Sequence, residues 1–217
     1  MPHAKLPRKS TNIDMTAMCD VAFLLLTFFM LATKFKPEEP VVVKTPSSIS
    51  EITLPDVDVM LLTVDAKGRI FFSIDNKLKR KELIDEINYE KDLKLTDAEK
   101  TSFALGSSIG VPFNQLKSYL DANPDQQKQM DATAPGVAVD SSVLSVNNEL
   151  AEWIKVARTS NPKLRICIKA DGDASYPAVS KIIKTLEGWK IFKFNLITNL
   201  KAVPPGTAAY AEKNPTK

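Results

Sequence analysis

A single histidine, His3, and two cysteines, Cys19 and Cys167, are all that this 217-residue chain offers of the commonest metal-binding and nucleophilic side chains. That scarcity excludes several kinds of chemistry. A Cys/His zinc site, a Ser-His-Asp triad and a Cys-His pair each need a histidine or a cysteine cluster on ordered backbone, and His3 sits in a polar N-terminal tail. Cys19 falls in an apolar run and Cys167 in an expected strand, so no disulfide is expected between them. The seven glycines are scattered and form no phosphate-cradling loop. The net charge of +3 is mild and evenly spread, which argues against a nucleic-acid partner. With no convergent catalytic set, the chain is expected not to be an enzyme, and to hold no metal or organic cofactor.

Long hydrophobic runs are scarce too; there is one. Ile13 to Thr33 is long enough, at 1.5 Å rise per residue, to cross roughly 30 Å of hydrocarbon. Lys5, Arg8 and Lys9 precede it, as they would a cleaved signal peptide. However, Asp20 interrupts the apolar core, and Met30-Leu-Ala-Thr-Lys34 has no clear small-x-small cleavage site, so an uncleaved anchor is expected. Orientation is not decided by charge, because Lys34, Lys36 and Lys44 balance the basic residues on the other side.

Asp20 is the residue that asks for a function. An ionised Asp at a bilayer centre costs roughly 2.5–3.5 kcal/mol on insertion scales, so such a group pairs, faces water or carries a proton. At about 100° per residue, Thr16 and Thr27 lie on the same stripe as Asp20, suited to a partner helix or a thin file of water. The alternative is that the threonines bond their own backbone and that Asp20 lies near the headgroups.

Past the span, residues 34–55 read as a linker broken by Pro37, Pro40, Pro46 and Pro55. Residues 56–200 read as an α+β domain, a mixed sheet with helices mainly on one face. A hairpin is expected at Val57–Val64 and Arg69–Ile74, and helices at Leu78–Tyr89, at Thr96–Leu105 behind a Thr96/Glu99 capping box, at Pro112–Leu120 and at Ser145–Arg158. A strand at Leu164–Lys169, a helix at Tyr176–Glu187 stopped by Gly188, and a strand at Ile191–Thr198 complete the pattern. Asp121–Val139, polar and punctuated by proline, reads as a mobile loop, and 201–217 as a disordered tail. Asp171-Gly-Asp173 lacks the later acidic ligand of a calcium loop and reads as a turn.

Two regions together resemble the ExbD/TolR family of inner-membrane proteins. One is the span from Ile13 to Met30 with its aspartate after a short polar lead-in. The other is discontinuous: Ile52-Thr-Leu54-Pro55, the hairpin, and Ile168-Lys169-Ala-Asp171-Gly-Asp-Ala-Ser-Tyr176 with its helix and last strand. Departures are Ala17, where members usually have proline, and residues 91–145, longer than the family core needs. The resemblance implies a single-pass protein of the bacterial inner membrane, with residues 1–12 cytoplasmic and the domain periplasmic. It implies Asp20 as proton carrier, Thr16 and Thr27 as lining residues, and Leu54, Pro55, Lys169, Asp171 and Tyr176 as a periplasmic motif. The implied partners are an ExbB-like membrane subunit, a TonB-like periplasm-spanning protein and a second copy, with protons as coupling ion and outer-membrane transport as output. Alternatives are a TolR-like envelope-integrity subunit that contacts peptidoglycan, or a membrane-anchored binding module that conducts no protons.

Overall fold

The computed structural model describes residues 15–32, 41–48 and 58–200. The expected tails at 1–12 and 201–217, most of the linker, and with it Leu54 and Pro55, lie outside the described residues. The chain divides after Lys36 into two units, each treated by itself.

The first unit contains α1, Met15–Ala32. It runs without glycine or proline, and ten of its eighteen residues are Ala, Leu or Met, which lose little rotamer freedom in a helix. None of its residues is buried, and its large apolar side chains from Met15 to Leu31 are exposed. A helix so apolar around its circumference calls for lipid or for other helices.

The second unit has a short strand β1 at Ser47–Ser48, then β2 (Val59–Val64), β3 (Ile70–Ile74), α2 (Lys77–Lys91), α3 (Asp97–Leu105), α4 (Phe113–Asp121), α5 (Pro124–Thr133), α6 (Glu149–Ser160), β4 (Arg165–Ala170), α7 (Tyr176–Gly188), β5 (Phe194–Ile197) and β6 (Asn199–Leu200). The main sheet has the order β3-β2-β4-β5 and is mixed: β2 and β3 form the antiparallel hairpin, while β2, β4 and β5 run parallel. β1 and β6 pair in parallel as a separate ladder.

The alternation expected of a strand covered on one side is present. Met60, Leu62 and Val64 of β2, Ile70, Phe72 and Ile74 of β3, and Ile166 and Ile168 of β4 join one core with Leu83, Ile84 and Ile87 of α2, Trp153 and Ile154 of α6, and Ile182 and Leu186 of α7. The intervening Phe71 is buried separately against Gly110, where a Cβ would drive into its ring.

The caps explain where helices begin and end. Asn76 accepts from the amides of Leu78 and Lys79 to start α2. The Thr96/Glu99 capping box opens α3 as its spacing predicts. The helix expected from Ser145 starts at Glu149, because the buried Asn148 caps it by accepting from the Ala151 amide at 3.0 Å. α7 ends at Gly188, as the sequence implies, though not through a left-handed glycine. The left-handed residue is Lys190, φ 58°, followed by the bonds Lys190 N–H to Glu187 O and Ile191 N–H to Leu186 O of a Schellman motif. Gly188 is also the point where Val143 packs so close that a Cβ would overlap it.

Residues 121–139 are the clearest correction. The expected mobile loop contains helix α5, with Pro124 at its first turn and the Asn123 amide donating to Gln126 Oε1. Ala134 and Val137 beyond it are buried in the common core, and the Val137 amide donates to Ile70 O at 2.8 Å. The most exposed large apolar side chain of the expected 91–145 excess is Leu144, 93% exposed, and Val146 just beyond it is 98% exposed. Chymotrypsin is therefore expected to cut first within residues 141–147, read by mass spectrometry, and to leave both fragments associated. A first cut inside α5 would contradict its packing.

Candidate functional site

Asp20 lies on the second turn of α1 and is the only carboxylate of that helix. Among the described residues it has no hydrogen-bond or ion-pair partner. Helical periodicity sets Thr16 one turn before it and Thr27 two turns after it on one stripe. Thr27 does not offer its proton to that stripe: its hydroxyl donates to Phe23 O at 3.0 Å and Leu24 O at 2.9 Å. Only its oxygen lone pairs remain for a ligand. α1 therefore presents one carboxylate, beside a free Cys19 and two threonines, on a surface that is mostly apolar, and that carboxylate must be satisfied by another chain, by water or by a proton.

The second motif region turns out to be a clamp on the chain that leads into the domain. β4 ends at Ala170, and the Asp171 amide continues the ladder to Val64 O at 2.9 Å. The Asp171 carboxylate then accepts from the Asp173 amide at 3.0 Å through Oδ1 and from the Lys44 amide at 2.9 Å through Oδ2, and the Gly172 amide donates to Lys44 O at 2.9 Å. A carboxylate accepting backbone amides is favoured in its charged form, which holds Asp171 below the usual carboxylate range, the Asp173 bond first and the Lys44 bond second. The expected turn is thus present, with a long-range partner that its spacing did not announce. Lys169 sits in β4 in register with Thr63 and Ile197, and Tyr176, 77% exposed, opens α7. These three motif residues share the C-terminal end of β4 and the start of α7, and only Asp171 makes the clamp.

A second titratable cluster escaped the sequence entirely. Asp65, in the hairpin turn, accepts from the amides of Lys67 and Arg69 and from Arg69 Nε at 2.6 Å. The Arg69 guanidinium in turn donates to the carbonyls of Asp131, Ala132 and Ala134 at 2.9–3.1 Å, capping the end of α5. Asp131 is 4% exposed; Tyr119 donates its hydroxyl to Oδ2 at 3.2 Å, and Oδ1 has no partner. Burial pushes the Asp131 carboxyl up to about 6, against the opposing pull of Tyr119 and Arg69.

The sign of the consequence follows from linkage. The folded chain binds this proton more tightly than the unfolded one, so the Asp131 contribution destabilises the fold as pH rises from about 3.8 to about 6. The loss is on the order of 2–3 kcal/mol at 1.36 kcal/mol per pH unit. Asp131→Asn is expected to flatten that part of the stability profile and to raise the denaturation midpoint above pH 6. Urea titrations of both proteins across this range are the check, and an unchanged slope in the Asn protein would refute it.

Among the described residues no group of His, Cys, Asp and Glu is placed to hold a metal ion. The family model described as biopolymer transport protein ExbD/TolR matches residues 7–201, a stretch that includes α1, the Asp171 clamp and the whole of 91–145. No curated protein and no solved structure matches the chain.

Proposed function

The chain belongs to the ExbD/TolR biopolymer transport family, a transport-associated family, and among the described residues one helix, α1, is long and apolar enough to cross a membrane, as in a single-pass membrane protein; on that premise we propose that it is an ExbD-like subunit of a proton-driven motor in the inner membrane. In this reading Asp20 carries the proton between the two sides, and Thr16 and Thr27 line its path. The N-terminus is cytoplasmic and the domain periplasmic. An ExbB-like subunit and a second copy surround α1, and a TonB-like protein takes the output to the outer membrane.

The observation that carries the reading is the lone carboxylate of Asp20 on a mostly apolar helix none of whose residues is buried. Each 100 mV of membrane potential supplies about 2.3 kcal/mol per charge moved, so a few protons are enough to drive a rigid-body step. The clamp at Asp171 ties Lys44, ahead of the sheet in the chain, to the end of β4.

The experiment is purification of the full chain from native membranes. An ExbB-like subunit is expected to co-purify, and alkaline phosphatase fused after Lys217 to be active while β-galactosidase fused there is not. The reverse fusion pattern would end the energy-transducer reading. Retention on isolated peptidoglycan would favour the TolR-like role instead.

A further inference from the structure

The turn from α7 into β5 reads Trp189-Lys-Ile-Phe-Lys-Phe194, and it borders a groove of about 740 Å³ lined by five cations, Arg158, Lys163, Arg165, Lys190 and Lys193. No acidic residue lines this groove, and among the described residues none of the five forms an ion pair. Concentrated charge of one sign in a concave site raises the local concentration of anions.

Apolar groups are interleaved with that charge. Phe192 is 72% exposed and Trp189 39% exposed, while Ile191 between them is turned into the core. The loop is held from below: left-handed Lys190 and the Ile191 amide close the Schellman motif on α7, and Phe194 enters β5. The side chains of Trp189, Lys190, Phe192 and Lys193 are therefore presented from a fixed base. An exposed aromatic costs hydration free energy unless something apolar covers it. Lysines flanking a Trp and a Phe match a surface that is apolar beneath and anionic above, the layering of a headgroup region.

We propose that this loop and groove dock on the headgroups of anionic phospholipids, the aromatics entering the interface and the cations taking the phosphates. Charge complementarity selects an anionic occupant, and the exposed aromatics select a bilayer over a free anion. The span α1 adds a tether that keeps a bilayer within reach at high effective concentration. The inference depends on α1 lying in a membrane and not on proton carriage by Asp20.

The test uses the full chain in lipid nanodiscs. Trp189 is the reporter, since the chain's other tryptophan, Trp153, is fully buried and supplies a constant background. Discs containing phosphatidylglycerol are expected to shift Trp189 emission to the blue and protect it from aqueous acrylamide, relative to discs of phosphatidylcholine alone. Lys163→Gln and Lys193→Gln should each lower the ratio of docked to undocked loop about fivefold, at about 1 kcal/mol per basic residue near an anionic surface, and added salt should lower it too. Phe192→Ser should lessen the shift even in anionic discs. Equal emission and quenching in the two kinds of disc would overturn the proposal. So would a response to inorganic phosphate in neutral discs with none to phosphatidylglycerol, which would make the groove a site for a small soluble anion.

Discussion

Asp20→Asn is expected to abolish proton-motive-force-dependent uptake while leaving protein level and partner co-purification nearly unchanged. An amide keeps the shape and the hydrogen-bonding capacity of the carboxyl but cannot exchange a proton. It also removes the cost of placing a charge in lipid, so insertion of α1 gains and assembly has no reason to fail. Asp20→Glu retains a titrating group one methylene further out, and partial uptake is expected where the surroundings tolerate that length. Thr27→Val is expected to be milder than either, for a reason visible in the helix. The Thr27 hydroxyl proton already goes to Phe23 and Leu24, so valine removes only lone pairs from the stripe. The measurement is uptake in cells lacking the native copy, beside purification of the complex. Substantial uptake by the Asn protein would sink proton carriage. Loss of the complex would assign Asp20 to helix pairing.

Trp153→Ala is expected to give the largest loss of stability in the domain, about 3–5 kcal/mol. That is a large part of the 5–15 kcal/mol that usually separates a folded domain from its unfolded chain. Trp153 is fully buried, and three rings from three other elements surround it: Phe72 of β3 at 5.0 Å, Phe113 at the start of α4 at 5.1 Å, and Phe103 of α3 at 5.7 Å between centroids. Truncation leaves a cavity at the junction of sheet and helices that none of these rings can fill without losing its other contacts. Trp153→Phe should cost less than half as much. It keeps a ring in the stack and removes an indole N–H that has no acceptor, which offsets part of the lost volume. Urea unfolding followed by circular dichroism gives the magnitude. Amide exchange gives its distribution: protection should fall together in β3, α3 and α4. Loss confined to α3 and α4 would show that these helices are a satellite of the sheet rather than part of its core.

What the amino-acid order determined by itself are features whose causes lie within a few residues. An 18-residue helix without glycine or proline, the Thr96/Glu99 box, and the alternation of Met60, Leu62 and Val64 are each produced by neighbours in the chain. The membrane-length run and its single carboxylate are of the same kind, and so Asp20 was legible at once. The mixed sheet was legible too, because a strand, a helix and a strand in quick succession leave little choice but a parallel pair.

Tertiary structure decided the rest. α5 is polar along most of its length, and its ten residues alone carry no amphipathic signal that separates them from a loop. It is a helix here because Arg69, 62 residues away from Asp131, caps its carbonyls, and because Ala134 and Val137 pack beside β3. Gly188 reads as the end of a helix and is the last residue of α7, but only the tertiary structure shows that Val143 packs against it. Asp171 could be read as a turn residue from its own neighbours, but its hold on Lys44, 127 residues earlier, could not. Asp131 was one acidic residue among many until burial gave it a raised pKa and an unpartnered oxygen. In each case the deciding energy comes from groups that meet only when the chain closes a long loop, and no local pattern of residues encodes that meeting.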